Sequence, residues 1–558
     1  MDRLKTRTDA LNRPETYDYD PAGNLSHFLD RKNQPTTFEY DALNRRTKAI
    51  YTDATTTFVY DAVGRLTKAS DTAVGAGTID FAYDVLDRLI QETTGQGSVS
   101  YQYDVLGRRT QMTANGQQPV TYGYDAASRL TQVVRGSLTE GLGYDNTNRR
   151  TSLTYPNGTS TSYAYDVASR LTTINHLGPS GVIEALTYQY DAVGNRTSLT
   201  RNNASASLLP AAVASATYDA ANEQTTFAGA TLTYDANGNL TNDGTNTYVW
   251  DARNRLVSIS GGTTASFHYD ALGRRTSKAV GSTASQFLYD GNDVAAEIGG
   301  GAIGANYLRS LNIDEPFIRQ AGTGNEHYHT DALGSSLVLS NTQGAPATMY
   351  AYEPFGKTTI TGTSANVFQY TGRENDDTEL AYYRARYYSP SRGRFIAEDP
   401  LEFDGGDANL YAYVFNNPLN FSDPSGERTP HGCIIGGLAG ATGFNAYVII
   451  QSLSGRKASY YAGLDGLGRI LAGNATAFGV GCAIGAAVKG EEFPLPLIRD
   501  GRIAPFGNRT GHPTGRFPHY HRSVPDPNKP GHSLPGQSDK RHRPWDRKSS
   551  DKSFLDRF

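Results

Sequence analysis

Two Asp-Pro dipeptides, Asp399-Pro400 and Asp423-Pro424, stand 24 residues apart, and the second runs on into Ser425-Gly426. Proline after each Asp removes an amide hydrogen and fixes φ, which suits a turn that presents a carboxylate. A lone Asp-Pro-x-Gly is read as a turn and nothing more. Two carboxylates brought close do not both ionise easily, so one stays protonated as an acid while the other activates water. A second group lies at the C-terminus. Residues 499–558 hold 13 Lys+Arg against 6 Asp+Glu and five of the eleven His. His512, Arg516, His519, His521, Arg522, His542 and Arg543 are the candidates there. Imidazole beside guanidinium suits phosphodiester cleavage, with His as general acid and base or metal ligand and Arg holding phosphate. Phe517, Tyr520 and Trp545 among the basic residues would also suit single-stranded nucleic acid. His519-x-His521 alone is a weak metal signal, because a structural zinc site needs four ligands. Metal and cofactor stay open for this segment, and the competing reading is a Pro-rich basic tail whose histidines are bystanders.

The elements that must position the two Asp-Pro motifs are visible as a repeat. Tyr-Asp recurs at Tyr19, Tyr40, Tyr60, Tyr83, Tyr103, Tyr124, Tyr144, Tyr165, Tyr190, Tyr218, Tyr234 and Tyr269, with Trp250-Asp251 in the same series. A steady period of this kind marks a repeat architecture. The fourth residue after each anchor is Gly, Asn, Asp or Ser, which a tight loop with positive φ requires. The fifth is Arg in nine of the thirteen. Stretches such as Thr56-Thr57-Phe58-Val59-Tyr60 alternate with the Thr, Val and Tyr content of strands. Each repeat is expected to be a β-hairpin stacked on its neighbours into a long curling sheet. Tyr should pack, Asp cap the turn, and Arg pair with a neighbouring repeat's Asp. No residue of the repeat is a catalytic candidate.

With these residues in view, the run Tyr-Asp-Ala-x-Gly-Arg-Leu-Thr resembles the YD repeat of RHS (rearrangement hot spot) proteins, found in bacterial polymorphic toxins, insecticidal Tc toxin subunits and animal teneurins. Downstream, His327-Tyr328-His329-Thr330-Asp331-Ala332-Leu333-Gly334-Ser335, Tyr352-Glu353-Pro354-Phe355-Gly356, Phe368-Gln369-Tyr370-Thr371-Gly372-Arg373-Glu374 and Tyr382-Tyr383-Arg384-Ala385-Arg386-Tyr387-Tyr388 are similar to the RHS-associated core. Gly393-Arg394-Phe395-Ile396-Ala397-Glu398-Asp399-Pro400 and Asn409-Leu410-Tyr411-Ala412-Tyr413-Val414 continue it to Gly426. The resemblance implies a mainly β fold: hairpins stacked into a curled, cocoon-like sheet closed by the core as a plug. It assigns residues 1–300 to repeats and 301–426 to the core. It also implies that Asp399 and Asp423 form an aspartic-type pair that cuts the chain near Glu427-Arg428 and releases a C-terminal effector. Two positions depart from the family: Leu401-Glu402 lacks the usual Gly, and Glu427 stands where an apolar residue is usual. Family members commonly carry many more repeats, so the chain reads as the C-terminal part of a larger shell.

Composition shifts after Gly426. Residues 1–426 carry 34 Lys+Arg and 46 Asp+Glu, and residues 427–558 carry 18 and 10. Residues 427–498 are Gly-rich and apolar and are expected to be helical. Their runs 432–450 and 470–488 are uncharged and about long enough for membrane contact, with Cys433 and Cys482 as small packers. Residues 499–558 are expected to be an irregular tail. Two cysteines exclude a disulfide framework. Met1-Asp2-Arg3-Leu4-Lys5 does not open a secretory signal peptide, so the expectation is a secreted or surface-delivered protein carried by another apparatus, with the effector part acting in a target cell. The leading expectation is an interbacterial toxin whose tail is a nuclease, with no cofactor for the shell. Its implied partners are secretion components, a nucleic-acid target and an immunity protein, acidic because the tail is basic. The alternatives are a cell-surface or carbohydrate-binding scaffold, and a membrane-active effector.

Overall fold

A computed structural model describes residues 3–203, 210, 212–213, 215–322 and 324–427, together with the backbone of short strands between 493 and 538. One residue stretch, the loop at Tyr60, shows why the repeat folds as it does. Strand Thr55–Tyr60 runs antiparallel to Leu66–Asp71, pairing Val59 with Lys68, and the register slips by one residue at Tyr60, which pairs with Leu66. The chain then reverses: Asp61 N–H donates to Arg65 O at 2.9 Å and Gly64 N–H to Asp61 O at 3.1 Å. Asp61 Oδ1 accepts from the backbone N–H of Val63 and Arg65, and Oδ2 from Arg65 Nε at 2.6 Å. The fourth position has positive φ in all thirteen loops, from 58° at Asn254 to 99° at Gly23. Where Arg is replaced, Asn24 and Asn195 still donate an amide N–H to the loop Asp.

The expected pairing of Arg with a neighbouring repeat's Asp is corrected by this geometry. Each Arg reaches back four residues to its own Asp, as Arg45 does to Asp41 and Arg129 to Asp125. The loop places the two side chains side by side, and the next Asp is reached only at its carbonyl oxygen, as Arg65 Nη1 donates to Asp84 O at 3.0 Å. Arg65 departs in one respect, since it also touches Asp87, the fourth residue of the following loop. The link between repeats comes instead from Tyr. Tyr60 OH donates to Arg46 O in the preceding hairpin, and Tyr83 OH to Leu66 O. Trp250 Nε1–H does the same to Leu240 O, which is why an indole can replace a phenol there. Each Arg also lies over the next Tyr ring, Arg45 over Tyr60 at 4.7 Å, a contact worth about 0.5–1 kcal/mol at an exposed site.

The hairpins join into a 19-stranded antiparallel sheet from Thr6 to Arg201 and a 14-stranded one from Thr233 to Thr361, with a three-stranded piece, Ala216–Thr231, between them. Both large sheets are open. The second runs without interruption through residue 300, the expected repeat–core boundary, and the change of structure comes after Thr361. Its loops and strand ends seat against the central part of the first sheet. Ala252 N–H donates to Asp53, Arg274 to Glu92 and Arg109 to Asp290. One apolar cluster spans both sheets, joining Val99, Met112, Val133 and Leu142 to Leu288, Leu308 and Ile318. Along the same seam His176 of the first sheet meets His329 of the second at 5.1 Å between ring centres, with Tyr155 against His327 and His329. Burial lowers His176 and His327 to about 4 and His329 well below its usual range, so these rings are neutral packing groups.

Residues 366–427 form the core segment, with a four-stranded sheet of Glu374–Asn375, Ala381–Tyr383, Arg386–Ser389 and Arg394–Phe395. Leu380, Tyr382, Tyr387 and Ile396 pack into the second sheet beside Tyr248, Leu256 and Phe267. Arg275, fully buried, bonds Asp376, Glu374 and the Tyr387 hydroxyl. Among the described residues there is no α-helix and no helix long and apolar enough to cross a membrane. The apolar runs 432–450 and 470–488 lie outside the described residues. The tail differs from the expected irregular segment. Gly501–Ala504 pairs with His519–Pro525, which also pairs with Ser533–Ser538. The density of Pro and Gly around it left the strand His519–Pro525 without a clear signal in the sequence.

Candidate active site

The hairpin turn Tyr383–Arg386 and the loop Asp423–Glu427 lie against each other. Ala385 N–H donates to Ser425 O at 3.1 Å, and Arg386 Nε to Gly426 O. Gly426 has φ +70°, and a Cβ there would lie 2.1 Å from Tyr383 O, so only glycine lets the loop approach this closely. Arg386 then extends to both Asp-Pro motifs. Its Nη2 donates to Asp399 Oδ2 at 2.9 Å and stands 3.6 Å from Asp423 Oδ2, while Nη1 donates to Leu410 O at 2.9 Å. Its guanidinium carbon sits 3.6 Å from the Phe395 ring centre. Arg386, Asp399 and Asp423 are all buried, at 4%, 9% and 2% exposure.

Each Asp is fixed by its own turn, as the Asp-Pro sequences suggest. Asp399 Oδ1 accepts from Leu401 N–H at 2.8 Å, and Asp399 N–H donates to Leu410 O. Asp423 Oδ1 accepts from Gly426 N–H at 2.9 Å and from the Ser425 hydroxyl at 3.1 Å. A small pocket, with room for about one water, opens between Asp399, Gly405, Asp407, Asn409 and Asp423. Gly405 forms part of its wall. A Cβ on Gly405 would lie 2.8 Å from Asp399 Oδ2 and 3.1 Å from the Glu427 carbonyl oxygen, so these two atoms face the same point. The arrangement brings two carboxylates, one cation and the peptide carbonyls of Gly426 and Glu427 into one place. Such a group can activate water against a peptide carbonyl.

The structure thus unites Asp399 and Asp423, which the sequence singled out, and adds Arg386, which it did not. The signal for Arg386 was available in Tyr382-Tyr383-Arg384-Ala385-Arg386-Tyr387-Tyr388, since a cation among buried aromatics must find acidic partners. Of the tail candidates, His519, His521 and Arg522 fall in one strand, with Arg502 opposite His521 and Gly501 opposite Arg522. His512, Arg516, His542 and Arg543 lie outside the described residues. Among the described residues no group of three or more His, Cys, Asp or Glu is placed to hold a metal ion.

The chain is 28% identical to a tRNA nuclease, WapA, of Bacillus subtilis over 237 residues, 38% of this chain and 10% of that protein. It is 36% identical to toxin protein Tse5 of Pseudomonas aeruginosa over 110 residues, covering 18% of this chain and 8% of Tse5. A toxin subunit of Yersinia entomophaga, YenC2, is 37% identical over 99 residues, 17% of this chain and 9% of that one. The matched segments span about a tenth of these relatives' lengths. Among solved structures, a Photorhabdus luminescens Tc holotoxin pore superposes with a TM-score of 0.53 at 16% identity, over 75% of this chain and 30% of the other. The TcdB2-TccC3 crystal structure gives 0.52 over 75% and 31%, also at 16% identity. The Teneurin YD-shell family model matches residues 3–130, 75–180 and 138–419. With that match running through both large sheets and the core, this chain belongs to the teneurin YD-shell family, among the RHS/YD-repeat proteins.

Proposed function

We propose that the chain is the C-terminal part of an RHS-type polymorphic toxin, a β-shell that carries a basic effector and releases it by cutting itself at Glu427-Arg428. The observation that carries this reading is the convergence of Asp399, Asp423 and the Gly426 carbonyl on Arg386, with the Glu427 carbonyl oxygen facing the same point at Gly405 as Asp399. Asp399, facing the same point as the Glu427 carbonyl oxygen, donates a proton to it. Asp423 takes a proton from water, whose oxygen bonds to the Glu427 carbonyl carbon. As the carbon–nitrogen bond to Arg428 breaks, Asp423 passes the proton it took from water to the Arg428 nitrogen, and the former carbonyl oxygen returns its proton to Asp399 as the Glu427 carboxyl forms. Arg386 offsets the negative charge of the pair and polarises the neighbouring Gly426 carbonyl.

The toxin relatives support a cognate immunity protein and a delivery apparatus as partners, and secretion as the route out of the producing cell. WapA, named as a tRNA nuclease, favours RNA as the target of the basic tail, with His519, His521 and Arg522 on one strand as its first residues to change. Two measurements test the reading. On a denaturing gel the wild-type chain should give two bands and Asp423→Asn a single one near 60 kDa. In a bacterial cytoplasm without an immunity protein the wild-type chain should arrest growth with loss of RNA, and the uncut variant should not. One wild-type band near full mass, or growth unaffected by either chain, overturns the corresponding half of the reading.

A further inference from the structure

The turn that carries Arg386 also carries Arg384, and all five N–H donors of its guanidinium are engaged. Nε donates to Asn292 O at 3.2 Å, Nη1 to Asp314 Oδ2 at 3.0 Å, and Nη2 to Asp293 Oδ1 at 3.0 Å and Asp314 Oδ1 at 2.7 Å. The remaining Nη1 hydrogen goes to the carbonyl oxygen of Pro424. Asn292, Asp293 and Asp314 all belong to the second sheet or its connections, Asp293 opening the strand Asp293–Gly299 and Asp314 lying between Ala302–Arg309 and Pro316–Ala321. Asp314 is held in turn by Arg373. Arg384 therefore joins the second sheet by four bonds to the cleavage loop by one. With Ala385 on Ser425 O and Arg386 on Gly426 O, three successive residues hold three successive carbonyls.

The backbone at Arg384 has φ +57°, a conformation that glycine adopts with less strain than any L side chain. An arginine persists there against local preference, which directs attention to its side chain. We propose that Arg384 is a positioning residue for self-cleavage: anchored by Asp293 and Asp314, it seats the Pro424–Glu427 loop at the Asp399–Asp423 pair, so that the cut waits for the second sheet to assemble. A chain lacking the second sheet has no anchor for the guanidinium, and its loop would have no fixed register. The effector would then be freed only from a completed shell. This rests on the self-cleavage reading above and deepens it.

The test is a time course of cutting in the freshly translated full-length chain. Arg384→Gly removes the side chain while easing the backbone, and should slow cutting by roughly tenfold to a hundredfold at temperatures well below its own denaturation midpoint, which should fall because Asp293 and Asp314 lose a partner. Asp293→Asn with Asp314→Asn should slow it likewise. Arg384→Lys keeps the charge without the fork and should fall between. Guanidinium ion at a few millimolar should restore part of the rate to Arg384→Gly, a rescue that a lost fold would not show. Cutting of Arg384→Gly at the wild-type rate overturns the proposal. So does a slow Arg384→Gly that neither guanidinium nor the Lys variant improves. A wild-type chain that never cuts removes the self-cleavage reading itself, a separate outcome.

Discussion

In the first sheet the loops between paired strands face solvent, and Val85, Val105 and Val167 beside their Asp residues are 96%, 101% and 108% exposed. In the second sheet the same loop positions are covered: Ala271 and Leu272 pack against Phe58, Ile79 and Phe81, and Arg253 lies over Tyr51. The loops themselves barely differ, with Arg65 Nε 2.6 Å from Asp61 and Arg274 Nε 2.8 Å from Asp270. The motif therefore closes its own turn without help from its surroundings, and cover adds only long-range bonds such as Arg274 to Glu92. That separation explains how one sequence pattern serves both an exposed rim and a buried seam.

Five substitutions would break or sharpen this contrast. Asp270 and Asp61 make the same local bonds, but the Asp270–Arg274 side chains are 4% and 11% exposed against 22% and 25% for Asp61–Arg65. Asp270→Ala should cost about 3–5 kcal/mol and Asp61→Ala about 1 kcal/mol in denaturant unfolding; equal losses would mean that cover contributes nothing. Glu140, wholly buried on the first sheet with neither carboxylate oxygen bonded to a neighbour, has its carboxyl pushed up to about 8 by desolvation. A raised carboxyl is stabilising only while protonated, so its contribution falls as pH rises from 4.5 toward 8. Glu140→Gln should therefore gain on wild type as pH rises, by about 3 kcal/mol at pH 7 relative to pH 4, and a gap independent of pH would refute the burial. Leu272→Ser should cost about 1–2 kcal/mol and Val105→Ser less than about 0.5 kcal/mol, both read from the unfolding midpoint.

The hairpins were legible because everything they need is local. Tyr60, Asp61, Gly64 and Arg65 sit within six residues, and the alternation around them names the strands. The partner of Arg129 was not legible for a related reason: spacing says which residues recur, and only the turn geometry shows that Asp125 and Arg129, four apart, meet. Asp399 and Asp423 were legible as a pair through the resemblance of their two Asp-Pro motifs, set among the other core motifs, to the RHS-associated core. Arg386 and Arg384 were not, since their meaning depends on Asp399, Asp314 and Pro424, brought to them by the second sheet and the core. Likewise nothing in the sequence near His329 foretells that His176, on the other sheet, will face it. Contacts across the seam are set by how far each sheet curls, a property of many hairpins at once.

The central claim is that Asp399 and Asp423 cut the chain whose loop they hold, and intact-mass analysis of the purified protein tests it most directly. The account predicts two fragments from the wild type, the smaller beginning at Arg428, and a single unbroken chain from Asp399→Asn and from Asp423→Asn. A cut that maps elsewhere, or one that survives either substitution, would contradict it.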